Sequence, residues 1–471
     1  MAGRDAVVVG AGPNGLAAAI TLARAGCSVT VFEAAATVGG GMRSAELTLP
    51  GFVHDVCSAV HPLGVGSPFF RSIPLDKFGL QWIHPDAPLA HPFDDGTAAV
   101  MERTIPATAE TLEPDGGAWH DLMAPLADDW EKLLDGLLQP LIPPHHALRM
   151  TRFGLNGMRS ARGLAEHRFS GERARGLFAG LAAHSILPLD APFSSSFGLM
   201  LGMLGHAVGW PIPAGGSQRI ADSMADYFKS LRGEIVTGQP ILSADHLPET
   251  GAIFFDTGPV QLLRLMGNRL GAGYRRRLER YRYGPGVFKV DWALDAPIPW
   301  TAAACTRAGT VHLGGTLNEI AAAELTVAGG GHPDRPFILL VQPSLFDPSR
   351  APAGKHTAWA YCHVPNGSTV NMLERIERQV ERFAPGFRKL ILARHVAGPA
   401  WLEQYNQNCV GGDITGGSND MWQILARPRL LSPYRIPTRK GPKAYLCSAS
   451  TPPGGGVHGM CGYNAARKSS P

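Results

Sequence analysis

The sequence is short of charge, and short of charge of either sign in excess. Only 17% of its 471 residues are Asp, Glu, Lys or Arg, against about 25% in ordinary globular chains. The formal net charge is +4, too small for a dedicated nucleic-acid binder, which needs a concentrated basic face. Cysteine is sparse: seven residues, at 27, 57, 305, 362, 409, 447 and 461, with no C-x-x-C pair. That excludes the usual zinc-ligand and thioredoxin spacings, so no metal site is expected. An odd, scattered set fits a reducing compartment, and the expected localisation is cytoplasmic. Long hydrophobic runs are also missing. A membrane-spanning helix needs about 20 mainly apolar residues. The longest charge-free stretch, Ala191 to Gln218, is interrupted by six Gly, three Pro and His206. Near the start, Ala6–Val9 is too short for the apolar core of a signal peptide. No fixed-period repeat is visible.

Glycine and proline are abundant instead, with 57 and 39 residues. Together they remain below the roughly 25–30% that marks low-complexity disorder, and 45% hydrophobic residues suffice for a core. The glycines cluster. Val9-Gly10-Ala11-Gly12-Pro13-Asn14-Gly15 lies between an apolar strand, Val7–Val9, and an Ala-rich helix, Leu16–Ala25. In such a G-x-G-x-x-G, Gly10 permits the turn, Gly12 lets backbone approach a pyrophosphate, and Gly15 lets helix pack on strand. Glu33 closes the next strand, 18 residues beyond Gly15, where an acid binds ribose hydroxyls. A second cluster, Gly39-Gly40-Gly41-Met42-Arg43, offers backbone amides and a guanidinium to phosphate. A third, Gly454-Gly455-Gly456-Val457-His458-Gly459-Met460, precedes a short helix whose N-terminus stabilises negative charge on a cofactor. No second G-x-G-x-x-G follows a strand, so a separate NAD(P)H site is not expected.

Together these motifs resemble the phytoene desaturase branch (carotenoid and retinoid oxidoreductases) of the FAD-dependent amine-oxidase-like flavoproteins. Pro50-Gly51-Phe52 with Asp55, Trp210-Pro211 with Gly215-Gly216, Gly411-Gly412-Asp413-Ile414 and Arg427-Pro428 extend the resemblance over nearly the whole chain. It implies an α/β fold: a Rossmann-like FAD-binding domain, discontinuous in sequence (1–70, 211–285 and 411–471), with an inserted α+β substrate domain (71–210 and 286–410). It implies FAD held by Gly10, Gly12, Pro13, Asn14, Gly15, Glu33, Gly40, Gly41, Arg43, Val236, Gly455, Gly456, Val457, His458 and Met460. The implied reaction is hydride transfer from a small hydrophobic substrate to the flavin. Redox-neutral isomerisation on reduced flavin is an alternative, as is a non-catalytic lipid-binding escort. Gly411, Gly412, Gly416 and Gly417 are placed near the flavin by the same resemblance. The short segment from Gly233 to Pro259 leaves little room for the usual antiparallel sheet.

Three residues are candidates for acid–base work: His458 in the third glycine cluster, His61, and Asp55. Each is equally a structural hydrogen-bonding residue by type. Trp300, Trp359 and Tyr361, and the apolar stretch Phe193–Trp210, are candidates for a substrate channel. Arg275-Arg276-Arg277 and the seven arginines between Arg149 and Arg175 suit either a solvated surface or peripheral contact with an anionic membrane.

Overall fold

A computed structural model describes residues 5–141, 144–439 and 441–469. Two sheets organise it. The first has six strands in the order Arg435–Ile436, Lys443–Leu446, Ala252–Phe255, Asp5–Val9, Ser28–Phe32, Glu234–Val236. All its pairings are parallel except that of the edge strand Arg435–Ile436. The central strand Asp5–Val9 is buried from Ala6 onward, as a parallel strand covered on both faces must be. Helices Pro13–Arg24 and Met460–Ser469 cross in direct contact on one face of this sheet. A Cβ on Gly462 would lie 1.7 Å from the Asn14 carbonyl oxygen, so that crossing requires glycine.

The second sheet has seven strands in the order Ile391–Ala397, Gly286–Leu294, His356–Val364, Ile338–Val341, Ala308–Leu313, Ala87–Pro92, Ala98–Met101. It is antiparallel apart from Ala308–Leu313 against Ala87–Pro92. The fold is therefore α/β with mixed sheets, as the sequence implies. The sequence of Val287–Leu294 has an alternating character, yet all nine residues of the strand Gly286–Leu294 are buried. The alternation survives as direction. Phe288, Val290, Trp292 and Leu294 pack with Phe383 and Phe387, whereas Val287 and Lys289 face a cavity between the sheets. Residues 105–207 supply a helical layer, and the apolar helix Ser194–Ala207 packs on Glu172–Ala183 and Gly116–Asp128.

Candidate functional site

One cavity of about 950 Å³ runs along the C-terminal ends of the parallel strands, where open α/β sheets bind ligands. Its first end is built by the turn after Asp5–Val9. Gly10 takes φ +102° there, a conformation that favours glycine. The helix Pro13–Arg24 then begins with no side-chain cap on Gly12. Pro13 has no N–H and the Gly15 amide donates to Asp256, so the Asn14 amide is the one this end leaves for a ligand among the described residues. Gly15 has a packing reason: a Cβ would lie 2.0 Å from the Gly10 carbonyl oxygen. The second glycine cluster leans on the first, since a Cβ on Gly40 would meet the Gly12 Cα at 3.0 Å.

Glu33 ties these loops together. One carboxylate oxygen accepts from the Ala11 amide at 2.8 Å. The other accepts from the Ala35 amide at 2.9 Å and from Arg43 Nη2 at 3.0 Å. Arg43 also donates to the Thr37 carbonyl and lies over the Tyr405 ring. Both Glu33 and Arg43 line the cavity.

The other end is the loop before Met460–Ser469. Gly454 and Gly456 adopt φ +118° and +125°, and a Cβ on Gly455 would meet the Thr415 carbonyl oxygen at 2.8 Å. His458 Nδ1 accepts from the Met460 amide at 3.0 Å, which caps the helix. Its Nε2 is buried with no hydrogen-bond partner among the described residues. Burial lowers the His458 pKa to about 4, against opposing backbone hydrogen bonds, so the ring is neutral at physiological pH.

The structure thus brings most of the expected cofactor residues onto one wall: Gly10, Gly12, Pro13, Asn14, Glu33, Gly40, Gly41, Arg43 and Gly455 to His458. Others lie elsewhere. Gly15 and Met460 sit behind the wall as packing residues. Val236 is not on the wall. Its carbonyl accepts from the Glu33 amide within the sheet, and Ile241, further along the same segment, faces the cavity instead. No strand is found between Glu234–Val236 and Ala252–Phe255 among the described residues.

Two acid–base candidates are also off the wall. His61 is buried behind it, with Nε2 and Ser217 Oγ 2.8 Å apart and Trp82 beside the ring. Burial lowers its pKa to about 4 despite Asp55 nearby. Asp55 is fully buried and paired with fully buried Arg350 at 2.8 Å. Ser44 Oγ and the Ser217 amide donate to its other oxygen. Burial alone raises the Asp55 pKa, but Arg350 and the Ser217 amide outweigh it, and the net direction is down. Asp55 is therefore a structural anion. Arg350→Met leaves it uncompensated and should cost about 3 kcal/mol in denaturant unfolding. A collapse of turnover in a variant of unchanged stability would instead return Asp55 to the chemistry.

Three features escaped the sequence. Asp256, at the end of Ala252–Phe255, reaches the helix N-terminus, where its Oδ2 accepts from the Gly15 amide at 2.8 Å. Burial and the charge of Glu33 raise its pKa to about 7, against the Gly15 and Gly12 amides. Lys289 is a buried cation on the cavity wall, paired with Asp291. His395 Nδ1 lies 3.3 Å from the other Asp291 oxygen. The third is a pair of histidines, His184 and His312, described below. Of the aromatic channel candidates, Tyr361 lines the cavity, whereas Trp300 and Trp359 pack in the cores. From the Phe193–Trp210 stretch, Phe193, Ser196, Phe197, Met200 and Leu201 reach the wall.

The wall fits a dinucleotide by an observation independent of its motifs. Asn14 Oδ1, Thr257 Oγ1, Gln261 Oε1 and His458 Nε2 all belong to cavity-lining residues, are buried, and lack hydrogen-bond partners among the described residues. Native proteins rarely leave such atoms unpaired unless a ligand or water meets them.

Fold and cavity define a class of architecture: a Rossmann-type α/β sheet with a second mixed sheet closing the cavity. Comparison with known proteins adds relatives to that class. Residues 8–71 match the family model of an NAD(P)-binding Rossmann-like domain. A mouse protein, pyridine nucleotide-disulfide oxidoreductase domain-containing protein 2, is 25% identical over 98% of this chain and 92% of its own length. A hydroxyneurosporene desaturase of Cereibacter sphaeroides is 36% identical over 27% of each chain. Among solved structures, a putrescine oxidase triple mutant superposes with a TM-score of 0.63 at 17% identity, covering 99% of this chain and 98% of that one. That last likeness is one of fold, and the fold is amine-oxidase-like.

Proposed function

We propose that the protein, an FAD-dependent oxidoreductase, takes hydride from a hydrophobic organic substrate in a phytoene-dehydrogenase-like desaturation. The observation that carries this is the continuity of the cavity. It runs from Gly10 and Glu33, past the Gly455–His458 loop, to an apolar wall containing Ile186, Phe193, Phe197 and Met200. Bound there, FAD supplies the two-electron acceptor. The chain's own residues do the rest. The Asn14 amide at the start of Pro13–Arg24 holds the phosphates, Glu33 and Arg43 hold the ribose end, and neutral His458 offers Nε2. The apolar wall orients the substrate and excludes water. In this reading the six-stranded sheet carries the cofactor, and the seven-stranded sheet with the helical layer carries the substrate. The purified protein should be yellow, and its flavin should bleach anaerobically with one class among polyenes, amines and acyl lipids. Protein that takes up no FAD refutes the reading.

Peripheral membrane contact belongs to the same proposal. Leu148 and Leu155 are 84% and 73% exposed, as are Trp422 and Leu431 at 72% and 70%. Each pair sits on a segment whose other residues, Phe153 or Ile424 and Leu425, line the cavity. These exposed apolar residues on cavity-lining segments support a contact surface, and Arg152 and Arg429 close to them in sequence suit anionic lipid. Among the described residues no helix is long and apolar enough to cross a membrane. Leu155→Asp with Trp422→Asp should lower cosedimentation with anionic vesicles about tenfold.

A further inference from the structure

The apolar end of the cavity holds one feature that hydride transfer does not use. His184 lines the cavity beside Ile186. Its Nε2 lies 2.9 Å from Nε2 of His312, so one ring donates to the other. Trp210 meets the His184 ring edge-on at 5.7 Å. His312 is fully buried, and the pair fixes the orientation of His184. Nδ1 of His184 makes no hydrogen bond to any described residue, and with Nε2 taken by His312 it is the nitrogen this cavity-lining ring has left for a ligand.

The surroundings hold this ring neutral. Burial is the main cause and the neighbouring His363 the second, and together they lower the His184 pKa to about 3. His363 is itself paired with buried Glu324 at 2.8 Å.

The position is also tied to the flavin loop. The Ser185 carbonyl accepts from Asn419 Nδ2 at 3.0 Å. Asn419 Oδ1 accepts from Arg427 Nη2 at 3.0 Å, and Arg427 Nη1 donates to the Ala449 carbonyl at 3.2 Å. Ala449 and Asn419 both line the cavity. Ile186 next in sequence has φ +54°, a left-handed conformation that β-branched residues avoid. Backbone strain of this kind persists where surrounding structure enforces it, and such positions cluster at functional sites.

We infer that His184 is a specificity-determining residue, which selects an apolar substrate carrying one neutral oxygen group, a hydroxyl or carbonyl, over a pure hydrocarbon or a carboxylate. The inference rests on the FAD-dependent reading above and narrows its substrate class. A hydrocarbon filling this end of the cavity leaves Nδ1 buried and unpaired. A site that hydrogen-bonds a substrate group discriminates strongly against the analogue lacking it. Even a modest unpaired-atom penalty corresponds to roughly tenfold in affinity. A carboxylate gains no counter-charge from a neutral ring and loses its hydration.

The test uses flavin-loaded enzyme and three probes of one shape: methyl naphthyl ketone, isopropenylnaphthalene and naphthoate. Binding is read from the perturbation of the flavin absorption band. The ketone should bind the wild type at least about tenfold more tightly than either other probe. His184→Leu should bring ketone and alkene to within about twofold without weakening the alkene, and His184→Gln should keep a preference for the ketone. A purely structural role for His184 would weaken both probes together. A smaller wild-type preference, no ketone binding, or a preference that survives His184→Leu overturns the inference. The wild-type ratio decides alone if the leucine variant does not fold. Protein that binds no flavin fails the earlier reading, whereas flavin-loaded protein without the preference fails only this one.

Discussion

Gly15→Ala is expected to purify without flavin and to bind added FAD at least a hundredfold more weakly, on the order of 3 kcal/mol or more. The added Cβ would lie 2.0 Å from the Gly10 carbonyl oxygen and 3.0 Å from both the Gly10 carbonyl carbon and Asp256 Oδ2. Those first neighbours are backbone of the turn that shapes the phosphate site, so relief requires moving the turn itself. Gly12 differs. Its Cβ would meet only the Asp256 carboxylate, at 2.7 Å, and that side chain can swing away. Gly12→Ala should therefore distort the turn less than Gly15→Ala and keep near wild-type apoprotein stability in denaturant unfolding, while still hindering the pyrophosphate. A Gly12→Ala apoprotein less stable than Gly15→Ala would refute this account of the turn. Gly117 has open space around a Cβ and an ordinary backbone, so Gly117→Ala serves as the neutral control. The measurements are the flavin-to-protein absorbance ratio and FAD titration of the apoprotein.

Asp256→Asn should stabilise the apoprotein at pH 8 by about 4 kcal/mol, the equivalent of some three pKa units. The folded-state pKa of about 7 lies above the usual carboxylate value of 3.8, which reverses the usual carboxylate behaviour. Below both values the group is protonated in folded and unfolded chain alike and contributes nothing. As pH rises from about 4 to 7 the unfolded chain releases its proton and the folded chain retains it. Stability falls across that window, and above it the full cost remains. The advantage of the asparagine variant should thus vanish near pH 4 and reach its plateau above pH 7. The same group governs cofactor uptake. Asp256 sits at the helix N-terminus where the proposed cofactor's phosphates would lie, and a diphosphate there would disfavour its ionised form. FAD binding then takes up a proton, and wild-type affinity should fall up to tenfold per pH unit above pH 7. Flat affinity across pH 7–9 in the wild type would show that Asp256 does not meet the phosphates.

The parts of the site legible in the sequence are those whose chemistry is local. Gly10, Gly12 and Glu33 act within one strand–turn–helix–strand unit, and their spacing is fixed by backbone geometry. The Gly455–His458 loop was legible for the same reason. What sequence reading missed depends on partners far along the chain. Asp256 bonds to the amide of Gly15, 241 residues away, and Arg350 lies 295 residues from Asp55. His184 and His312 are separated by 128 residues. No periodicity or composition records such pairings. Lys289 and Asp291 were hidden differently: charged residues in an apolar strand look solvent-facing until both faces prove covered. Glycine was over-assigned to the cofactor. Gly459 and Gly462 are needed where the last described helix packs on Phe69, Ala17 and Asn14. Gly411 and Gly412 make room for Asn366 and Pro399, and of the four glycines at 411, 412, 416 and 417 Gly416 alone lines the cavity, beside Asp413, Ile414 and Thr415.

The strand order of the six-stranded sheet sets a timetable. Asp5–Val9 is synthesised before one of its two flanking partners, Ala252–Phe255, which in turn needs Lys443–Leu446. Helix Met460–Ser469 then covers helix Pro13–Arg24. Pairings this distant in sequence form slowly. The nascent chain therefore carries the Gly10–Gly15 turn without the complete sheet that holds it in shape until Lys443–Leu446 has been made. A cofactor that needs the finished turn can load only after that, and the apolar strands that wait for their partners are the surface a chaperone must guard.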